Sequence, residues 1–243
     1  MTSFFTYLVR ALLALVLAAS PKPAPTTVTT LATTPGVKAT ADAALPDIVL
    51  IVADDLGIGR VGAYGAHPNP GRTPNIDRLA RAGVSFTNAW ANPICSPTRA
   101  TLLTGRYSYR THVGWYISQK NKAQGMKDSE ITIPEAIAES YTSFAFGKWH
   151  LGRPEQLPAH PLKSGFASFH GTHYNLNKKS YSHCEWYDDL VQSVNKAYVT
   201  TRTTDLAISV PADHVGPRFL YVAYHAPHTP YEAPPADLHQ YDL

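Results

Sequence analysis

The chain has 243 residues, of which 44% are hydrophobic, 11% aromatic and 16% charged. This composition is typical of one globular domain with a sizeable core. The formal net charge is +3, without a basic block, so we expect no nucleic-acid partner and only a weak preference for an anionic substrate.

The segment before residue 45 lacks the pattern of a folded domain. Arg10 precedes an apolar run over residues 11–19, and small residues follow. The run is too short to span a bilayer, so it predicts a signal peptide over residues 1–20, with an uncleaved anchor or a buried helix as the alternative. Residues 21–44 are rich in Pro, Thr and Ala and predict a flexible linker. We therefore expect a secreted, periplasmic or lysosomal protein.

Strands and helices are predicted to alternate from residue 45 onward. Apolar, β-branched runs predict strands, whereas Pro near the start and Gly at the end of a segment predict helices. The first strand is expected to be buried on both faces of a parallel sheet. This alternation indicates an α/β domain with a central, mostly parallel sheet flanked by helices. In chain order the predicted elements are a strand at 47–53, a helix at 74–83, a helix from just after Cys95 to Gly105, a helix at 132–140, a strand at 141–146, a helix at 198–209 and a strand at 219–224.

Polar side chains follow three of the predicted strands. In an open α/β sheet, ligands bind outside the carboxyl ends of the strands, so we expect these side chains to converge on one site. Lys148 and His150 alternate on an extended segment and so face the same side. The polar residues are Asp54 and Asp55, then Lys148 and His150, then His225 and His228.

The adjacent carboxylates Asp54 and Asp55 allow two interpretations. Hard divalent cations prefer carboxylate oxygens, so the pair is a candidate metal site. The alternative is a polar turn with a helix cap.

The chain contains two cysteines, Cys95 and Cys184. In an exported protein such a pair favours a disulfide. A competing interpretation rests on Arg99, which lies one helical turn after Cys95 at the predicted start of a helix. A helix N-terminus favours an anion, so this turn is also a candidate anion site.

Residues 95–107 closely resemble the signature of the sulfatase family, C-x-P-x-R with a downstream L-T-G-R. The sequence here is CSPTR followed by ATLLTGRY. The resemblance covers about residues 46–235, and the arylsulfatase B group is the most similar through the YSH stretch at 181–183 and GKWHLG. Four further segments resemble family motifs in the family's order: VADDLG at 52–57, TPNID at 73–77, GKWHLG at 147–152 and APHTP at 226–230.

The resemblance implies that a formylglycine-generating enzyme oxidises Cys95 to formylglycine (3-oxoalanine). The hydrated aldehyde has two hydroxyls on one carbon. One attacks sulfur and expels the alcohol; the other then loses its proton, and the hemiacetal sulfate collapses to sulfate and the aldehyde. A serine would instead remain as a stable sulfate ester. This implication leaves Cys184 as a buried thiol or with a partner outside this chain.

The resemblance also implies a metal site at the end of the first strand. Asp54 and Asp55, together with the oxygen of residue 95, would bind calcium, with magnesium as the alternative. Such a cation polarises sulfate oxygens and lowers the pKa of the attacking hydroxyl.

Four further side chains match family positions with catalytic roles. Arg99 would orient the formylglycine hydrate, and Lys148 would bridge the hydrate and the sulfate charge. His150 would help to remove the proton of the second hydroxyl, and His228 is the candidate general acid beside the leaving oxygen. His225 stands at a position that is not characteristically histidine, and no role is assigned to it.

The implied fold is an alkaline-phosphatase-like sandwich that is incomplete at the C-terminus. Family members are longer and carry an Asp-Asn metal pair and a second lysine downstream. We interpret residues 45–243 as the N-terminal part of a sulfatase catalytic domain, and we expect the 243-residue chain alone to be a poor sulfatase. The implied reaction is hydrolysis of a sulfated small molecule or carbohydrate. The alternatives are a phosphonate monoester or phosphodiester hydrolase with the same nucleophile, and a truncated, non-catalytic protein.

Overall fold

A computed structural model describes residues 45–121, 123–176 and 180–239. The predicted signal peptide and linker lie outside these residues and remain predictions. Within the described part, no helix combines the length and the apolar character needed to cross a membrane.

The described residues form one six-stranded sheet, with strands β1 (Ile48–Asp54), β2 (Thr142–Lys148), β3 (Ser168–Thr172), β4 (Cys184–Asp188), β5 (Val191–Asn195) and β6 (Arg218–Pro227). The strands lie side by side in the order β1-β6-β2-β3-β4-β5. β1, β6, β2 and β3 pair in parallel, and β4 and β5 continue the sheet in antiparallel pairing. The predicted mostly parallel sheet is therefore confirmed, while β3, β4 and β5 were not predicted.

The described residues also form six α-helices, α1 (Pro74–Ala82), α2 (Cys95–Thr104), α3 (Ser108–Thr111), α4 (Ile133–Ala136), α5 (His160–Lys163) and α6 (Val199–Ser209). Short 3₁₀-helices span Ile58–Arg60, Gly62–Tyr64, Pro154–Gln156 and Ala236–Leu238. The predictions of α1, α2 and α6 are confirmed. The helix predicted at 132–140 is wrong in length, because the amides of Ser140 and Tyr141 both donate to the Ile137 carbonyl and turn the chain into β2.

Helices cover both faces of the central strands. Successive residues of a strand point to opposite faces, so β2 and β6 each contribute to two apolar clusters. Ala145 and Tyr221 pack in one cluster with Leu103 of α2. Phe146 and Val222 pack in another, together with Ala207 of α6 and the neighbouring Phe144. The central strands are thus held between α2 and α6.

β1 is not buried on both faces, contrary to the sequence-based expectation. It forms one edge of the sheet and pairs only with β6 among the described strands. Val49 is 53% exposed and Ile51 is 58% exposed. The apolar run identified a strand, but the burial of its side chains depends on neighbours that a local pattern does not reveal.

The ends of three adjacent strands meet at one edge of the sheet. β1 ends at Asp54, which lies opposite Pro227 of β6, and β2 ends between β6 and β3 at Lys148. Just before Lys148, Gly147 has a φ of 90°, and a Cβ there would meet the Ala223 carbonyl oxygen at 2.1 Å. Glycine therefore permits the close approach of β2 to β6 that brings their polar ends together.

Candidate active site

Cys95 begins α2 and contacts the ring of His150. The Cys95 Sγ lies 3.2 Å from His150 Nδ1, and His150 Nε2 lies 2.6 Å from the carbonyl oxygen of Ile117. Because a carbonyl oxygen only accepts, Nε2 carries the ring proton and Nδ1 presents its lone pair to residue 95. Burial, reinforced by the charges of Lys148 and Arg99, lowers the pKa of His150 well below its ordinary value. The neutral ring is therefore placed to accept a proton from residue 95.

Two buried cations share the carboxylate of Asp54. Lys148 Nζ donates a hydrogen bond to Asp54 Oδ2, and Arg99 Nη2 lies 3.5 Å from Asp54 Oδ1. Burial raises the pKa of Asp54, but the charges of Lys148 and Arg99 outweigh it and hold the pKa below its ordinary value. One carboxylate balances only one of the two cations, so this cluster keeps a positive charge that favours an anionic ligand.

Only part of the Arg99 guanidinium group is hydrogen-bonded to the protein. Its Nη1 donates to the Lys148 carbonyl oxygen at 2.6 Å and lies 3.3 Å from the Tyr221 hydroxyl. Among the described residues, its Nε and Nη2 have no hydrogen-bond partner although both are buried. Guanidinium groups match oxyanions in geometry, so these donors fit an oxygen on residue 95 or on a bound sulfate.

Asp55 and His228 form a more exposed pair beside this cluster. Asp55 has a φ of 64°, in the left-handed region, and its side chain is 65% exposed. His228 Nε2 lies 3.6 Å from Asp55 Oδ2, and His228 Nδ1 lies 2.7 Å from the Thr229 carbonyl oxygen. Asp55 directly follows Asp54 in the chain, so this pair borders the buried cluster.

The two aspartates meet the requirements of a hard cation in part. Their carboxylates are the ligand type that calcium and magnesium prefer. However, both Asp54 oxygens already face a cation, and the described residues contain no group of three or more His, Cys, Asp or Glu side chains that could hold a metal. The donor chemistry fits a divalent cation, but the ligands found among the described residues do not complete its coordination shell.

A family model described as Sulfatase matches residues 46–242. The chain belongs to the sulfatase family. This match spans nearly all of the described residues, including the cluster around Cys95.

Curated relatives of this sulfatase chain are considerably longer than the matched region. Arylsulfatase J of Mus musculus is 32% identical over 212 residues, which cover 80% of this chain and 34% of that protein. N-acetylgalactosamine-6-sulfatase of Homo sapiens is 42% identical over 137 residues, which cover 52% of this chain and 25% of that protein. The chain thus spans about a quarter to a third of these relatives.

Solved structures of sulfatases share the fold. The crystal structure of Ps i-CgsB in complex with k-i-k-neocarrahexaose is 30% identical with a TM-score of 0.67, and the match covers 78% of this chain and 47% of that one. PsFucS1 sulfatase from Pseudoalteromonas sp. is 25% identical with a TM-score of 0.63, and the match covers 78% of this chain and 46% of that one. These likenesses confirm the predicted alkaline-phosphatase-like α/β architecture.

The structure brings together most of the predicted site residues of this sulfatase. Asp54, Arg99 and Lys148 contact one another, and Cys95 contacts His150. Asp55 and His228 form the adjacent pair. The catalytic and metal-binding roles assigned to these residues remain predictions.

His225, which received no role from the sequence, is buried within the same site. Its Nε2 lies 2.7 Å from Thr172 Oγ1, and that hydroxyl donates to the Tyr174 carbonyl oxygen, so Nε2 is the donor to Thr172. Burial, followed by the charges of the nearby cations, lowers the pKa of His225 well below its ordinary value. The signal in the sequence was its position directly after the strand predicted at 219–224.

The disulfide interpretation is wrong. Cys95 and Cys184 both lie in the described part of the chain, and they are not joined. Cys184 is buried on β4 in an apolar cluster with Trp186, and Asn195 Nδ2 lies 3.8 Å from its Sγ. The expectation of a buried thiol at residue 184 is confirmed.

Proposed function

We propose that this sulfatase chain supplies the nucleophile of a sulfate-ester hydrolase, with Cys95 converted to formylglycine. The observation that carries the proposal is the contact between residue 95 and the unprotonated Nδ1 of His150, at the start of α2 and beside two buried cations. A helix N-terminus and two cations favour the anionic sulfate group, while a neutral imidazole accepts a proton.

The surrounding side chains have distinct tasks in this proposal. Formylglycine supplies, once hydrated, one hydroxyl that attacks sulfur and a second whose deprotonation releases sulfate. The Cys95 Sγ stands where an oxygen of that hydrate would lie, so His150 Nδ1 is placed to take the proton of the second hydroxyl. In this proposal the hydrate is oriented by Arg99, through Nε, which has no hydrogen-bond partner among the described residues, and through Nη2, which lies 3.5 Å from Asp54 Oδ1. Lys148 offsets the negative charge that develops on the sulfate oxygens.

His228 is proposed as the acid that protonates the leaving oxygen. Its Nδ1–H donates to the Thr229 carbonyl oxygen, so the other nitrogen is the one available to the substrate. When the ring is protonated, the proton on Nε2 can pass to the alcohol oxygen as the bond between that oxygen and sulfur breaks.

A divalent cation, calcium or magnesium, is proposed at Asp54 and Asp55 with an oxygen of residue 95. Sulfatases generally use such a cation, and the two carboxylates provide matching ligand chemistry. When bound, the cation polarises sulfate oxygens. Further ligands must come from groups other than those described within residues 45–239.

The proposed substrate class is a sulfated carbohydrate or another sulfated small molecule. Structural neighbours were solved with k-i-k-neocarrahexaose and with D-glucosamine-2-N,6-O-disulfate as ligands. A formylglycine-generating enzyme is the proposed maturation partner, and export through the predicted signal peptide is the proposed route to a secreted, periplasmic or lysosomal location.

The first experiment measures the modification of Cys95. The protein is produced with and without a formylglycine-generating enzyme, and peptides are analysed by mass spectrometry. We expect residue 95 to lose its thiol and gain a hydrazine-reactive aldehyde only with that enzyme, while Cys184 in the same sample stays a thiol. An unmodified Cys95 under conditions that modify a known sulfatase would contradict the proposal.

The second experiment tests the reaction. The protein made from its complete coding sequence is assayed with an aryl sulfate, a sulfated disaccharide and a phosphonate monoester, beside the 243-residue chain. We expect sulfate release that a Cys95→Ala variant lacks. Faster turnover of the phosphonate would favour the phosphonate hydrolase alternative, and no turnover of any ester would favour the non-catalytic one.

A further inference from the structure

Tyr181 is fixed at several points and reaches the loop that carries His228. Its amide donates to Glu232 Oε2 at 2.8 Å, and its carbonyl accepts from the Val199 amide at 2.8 Å, at the start of α6. Its ring is 2% exposed and stacks on Tyr198 with the centroids 5.6 Å apart. Burial, with a smaller effect of Tyr198, raises the pKa of Tyr181, so the hydroxyl keeps its proton. That hydroxyl donates to the His228 carbonyl oxygen at 2.7 Å.

Glu232 ties the chain around Tyr181 to the segment that follows His228. Its carboxylate also accepts from Ser180 Oγ at 3.1 Å and from Ser182 Oγ at 3.2 Å. The 180–182 turn is therefore bound both to the His228 carbonyl and to residue 232. These contacts join two distant parts of the sequence beside the proposed active site.

Apart from the ring contacts of His228 with the Thr229 carbonyl oxygen and with Asp55, the described residues give this segment few backbone anchors. β6 ends at Pro227, and neither Pro227 nor Pro230 has an amide proton to donate. The His228 amide donates back to the His225 carbonyl oxygen at 2.9 Å. A hydrogen bond to the His228 carbonyl fixes the following peptide plane, and hence limits the directions that the imidazole can take from its Cα.

We infer that Tyr181 is a positioning residue for His228, which it holds with Nε2 directed to the oxygen of the departing alcohol. The inference rests on the proposed function. As the bond between sulfur and the alcohol oxygen breaks, its electron pair stays on that oxygen, which takes the proton from Nε2. Tyr181 contacts neither sulfur nor the alcohol and acts only through His228. Small displacements of a catalytic group are enough to slow a reaction by about a hundredfold.

The test compares Tyr181→Phe with the unchanged protein, both from the complete coding sequence and carrying formylglycine. Aryl sulfates of increasing leaving-group pKa are the substrates. An acid matters most for a poor leaving group, so we expect kcat to fall about tenfold for an unsubstituted phenyl sulfate and less than about twofold for a nitrophenyl sulfate. A general loss of folded protein would lower kcat equally for all substrates. Equal losses across the series would overturn the inference.

Tyr198→Phe is the matched control, because it alters the stacked neighbour while keeping its ring. It should leave the leaving-group dependence unchanged. If Tyr181→Phe does not fold, Glu232→Gln provides the second variant, since it weakens the support of the 180–182 turn without altering any proposed catalytic group. The same steeper dependence, in a smaller degree, is then expected; an unchanged dependence would overturn the inference.

A measurement without substrate separates this inference from the proposed reaction. In protein labelled with ¹⁵N-histidine, the ring signals of His228 are assigned by their loss in His228→Ala. We expect Tyr181→Phe to move or broaden those signals while leaving the His150 signals in place. Unchanged His228 signals would overturn the positioning role even in an active sulfatase. Changed signals in a protein that hydrolyses no sulfate ester would support the positioning and contradict the proposed function.

Discussion

Asp54 and Asp55 are neighbours in sequence, yet they belong to two contrasting halves of the candidate site. Asp54 is 5% exposed and is enclosed with Arg99 and Lys148, which are each 1% exposed. Asp55 is 65% exposed, and its carboxylate lies 3.6 Å from the ring of His228, which is 20% exposed. We call the first group, together with His150, the buried half, and the pair Asp55 and His228 the exposed half. The two halves separate at the end of β1, where Asp54 is the last residue of the strand and Asp55, the next residue, has a left-handed backbone conformation.

The contrast shows how stability and ligand binding are divided within the site. In the buried half, charged groups have protein partners and little water, so each depends strongly on the others. In the exposed half, solvent screens the interaction between Asp55 and His228, so the pair contributes little to the free energy of unfolding. The buried half is thus organised before any ligand arrives, and the exposed half is available to one.

The largest effect is expected when the shared carboxylate of the buried half is removed. Asp54→Asn keeps the shape of the side chain but leaves two buried cations, Arg99 and Lys148, without a counter-charge. We expect the free energy of unfolding to fall by about 3–5 kcal/mol. The measurement is urea unfolding followed by circular dichroism at neutral pH.

A second substitution tests the reason for that loss. Asp54→Asn combined with Lys148→Met removes one of the two unbalanced cations, so part of the lost stability should return. Lys163→Met, which removes an exposed lysine on α5, is the control and should not rescue Asp54→Asn. If Asp54→Asn costs less than about 1 kcal/mol, the carboxylate is not what holds the two cations together.

The sequence was sufficient to predict the strands and helices whose own residue pattern reflects their burial in the fold. β6 is a largely apolar strand and β2 contains the apolar stretch FAF at 144–146. Both strands lie in the middle of the sheet, and α2 carries the CSPTR segment between Cys95 and Gly105. β5 (Val191–Asn195) is short and largely exposed, so it has no apolar run that could reveal it. β1 was recognised as a strand, but its edge position depends on strand order, which no single segment encodes.

The same distinction holds for the candidate site. Cys95, Arg99, Lys148 and His150 lie in contiguous motifs. The structure brings Cys95 into contact with His150 and Arg99 into contact with Lys148. The carbonyl oxygen of Ile117, which orients His150, has no sequence signal because every residue carries such a group. Tyr181 contacts the His228 segment across 47 positions, so only the fold reveals the link.

An intermediate effect on the free energy of unfolding is expected from His173, whose backbone contacts His150 of the buried half. The His173 carbonyl accepts from the His150 amide at 3.1 Å. The His173 ring stacks on Phe169 with the centroids 5.1 Å apart and contacts Tyr187 at a tilt with the centroids 4.2 Å apart. Burial lowers the pKa of His173 from its ordinary value of 6.5 to about 3. Between these two values the unfolded chain binds a proton that the native protein excludes, so acid favours unfolding.

The free energy of unfolding should therefore decrease by up to about 1.4 kcal/mol per pH unit on acidification below about 6.5 through this group alone. His173→Phe keeps an aromatic ring in the stack and should make the decrease shallower. His183→Gln replaces an exposed histidine and should leave the slope as it is. An identical slope for His173→Phe and the unchanged protein would show that the native state also protonates residue 173.

The smallest effect on stability is expected in the exposed half, where it should coincide with a large effect on cation binding. Asp55→Asn and His228→Ala should each change the free energy of unfolding by less than about 0.5 kcal/mol, because the pair is separated by 3.6 Å and screened by water. In the complete protein, Asp55→Asn should nevertheless weaken calcium binding at least about tenfold, since it removes a charged oxygen ligand from a hard cation. His228→Ala, which removes no oxygen ligand, should leave calcium affinity nearly unchanged and serves as the matched control. Urea unfolding and calorimetric calcium titration measure the two quantities on the same samples.

If Asp55→Asn destabilises the protein as much as Asp54→Asn, the division into two halves fails. If it leaves calcium affinity unchanged, Asp55 is not a ligand and its exposure has another cause.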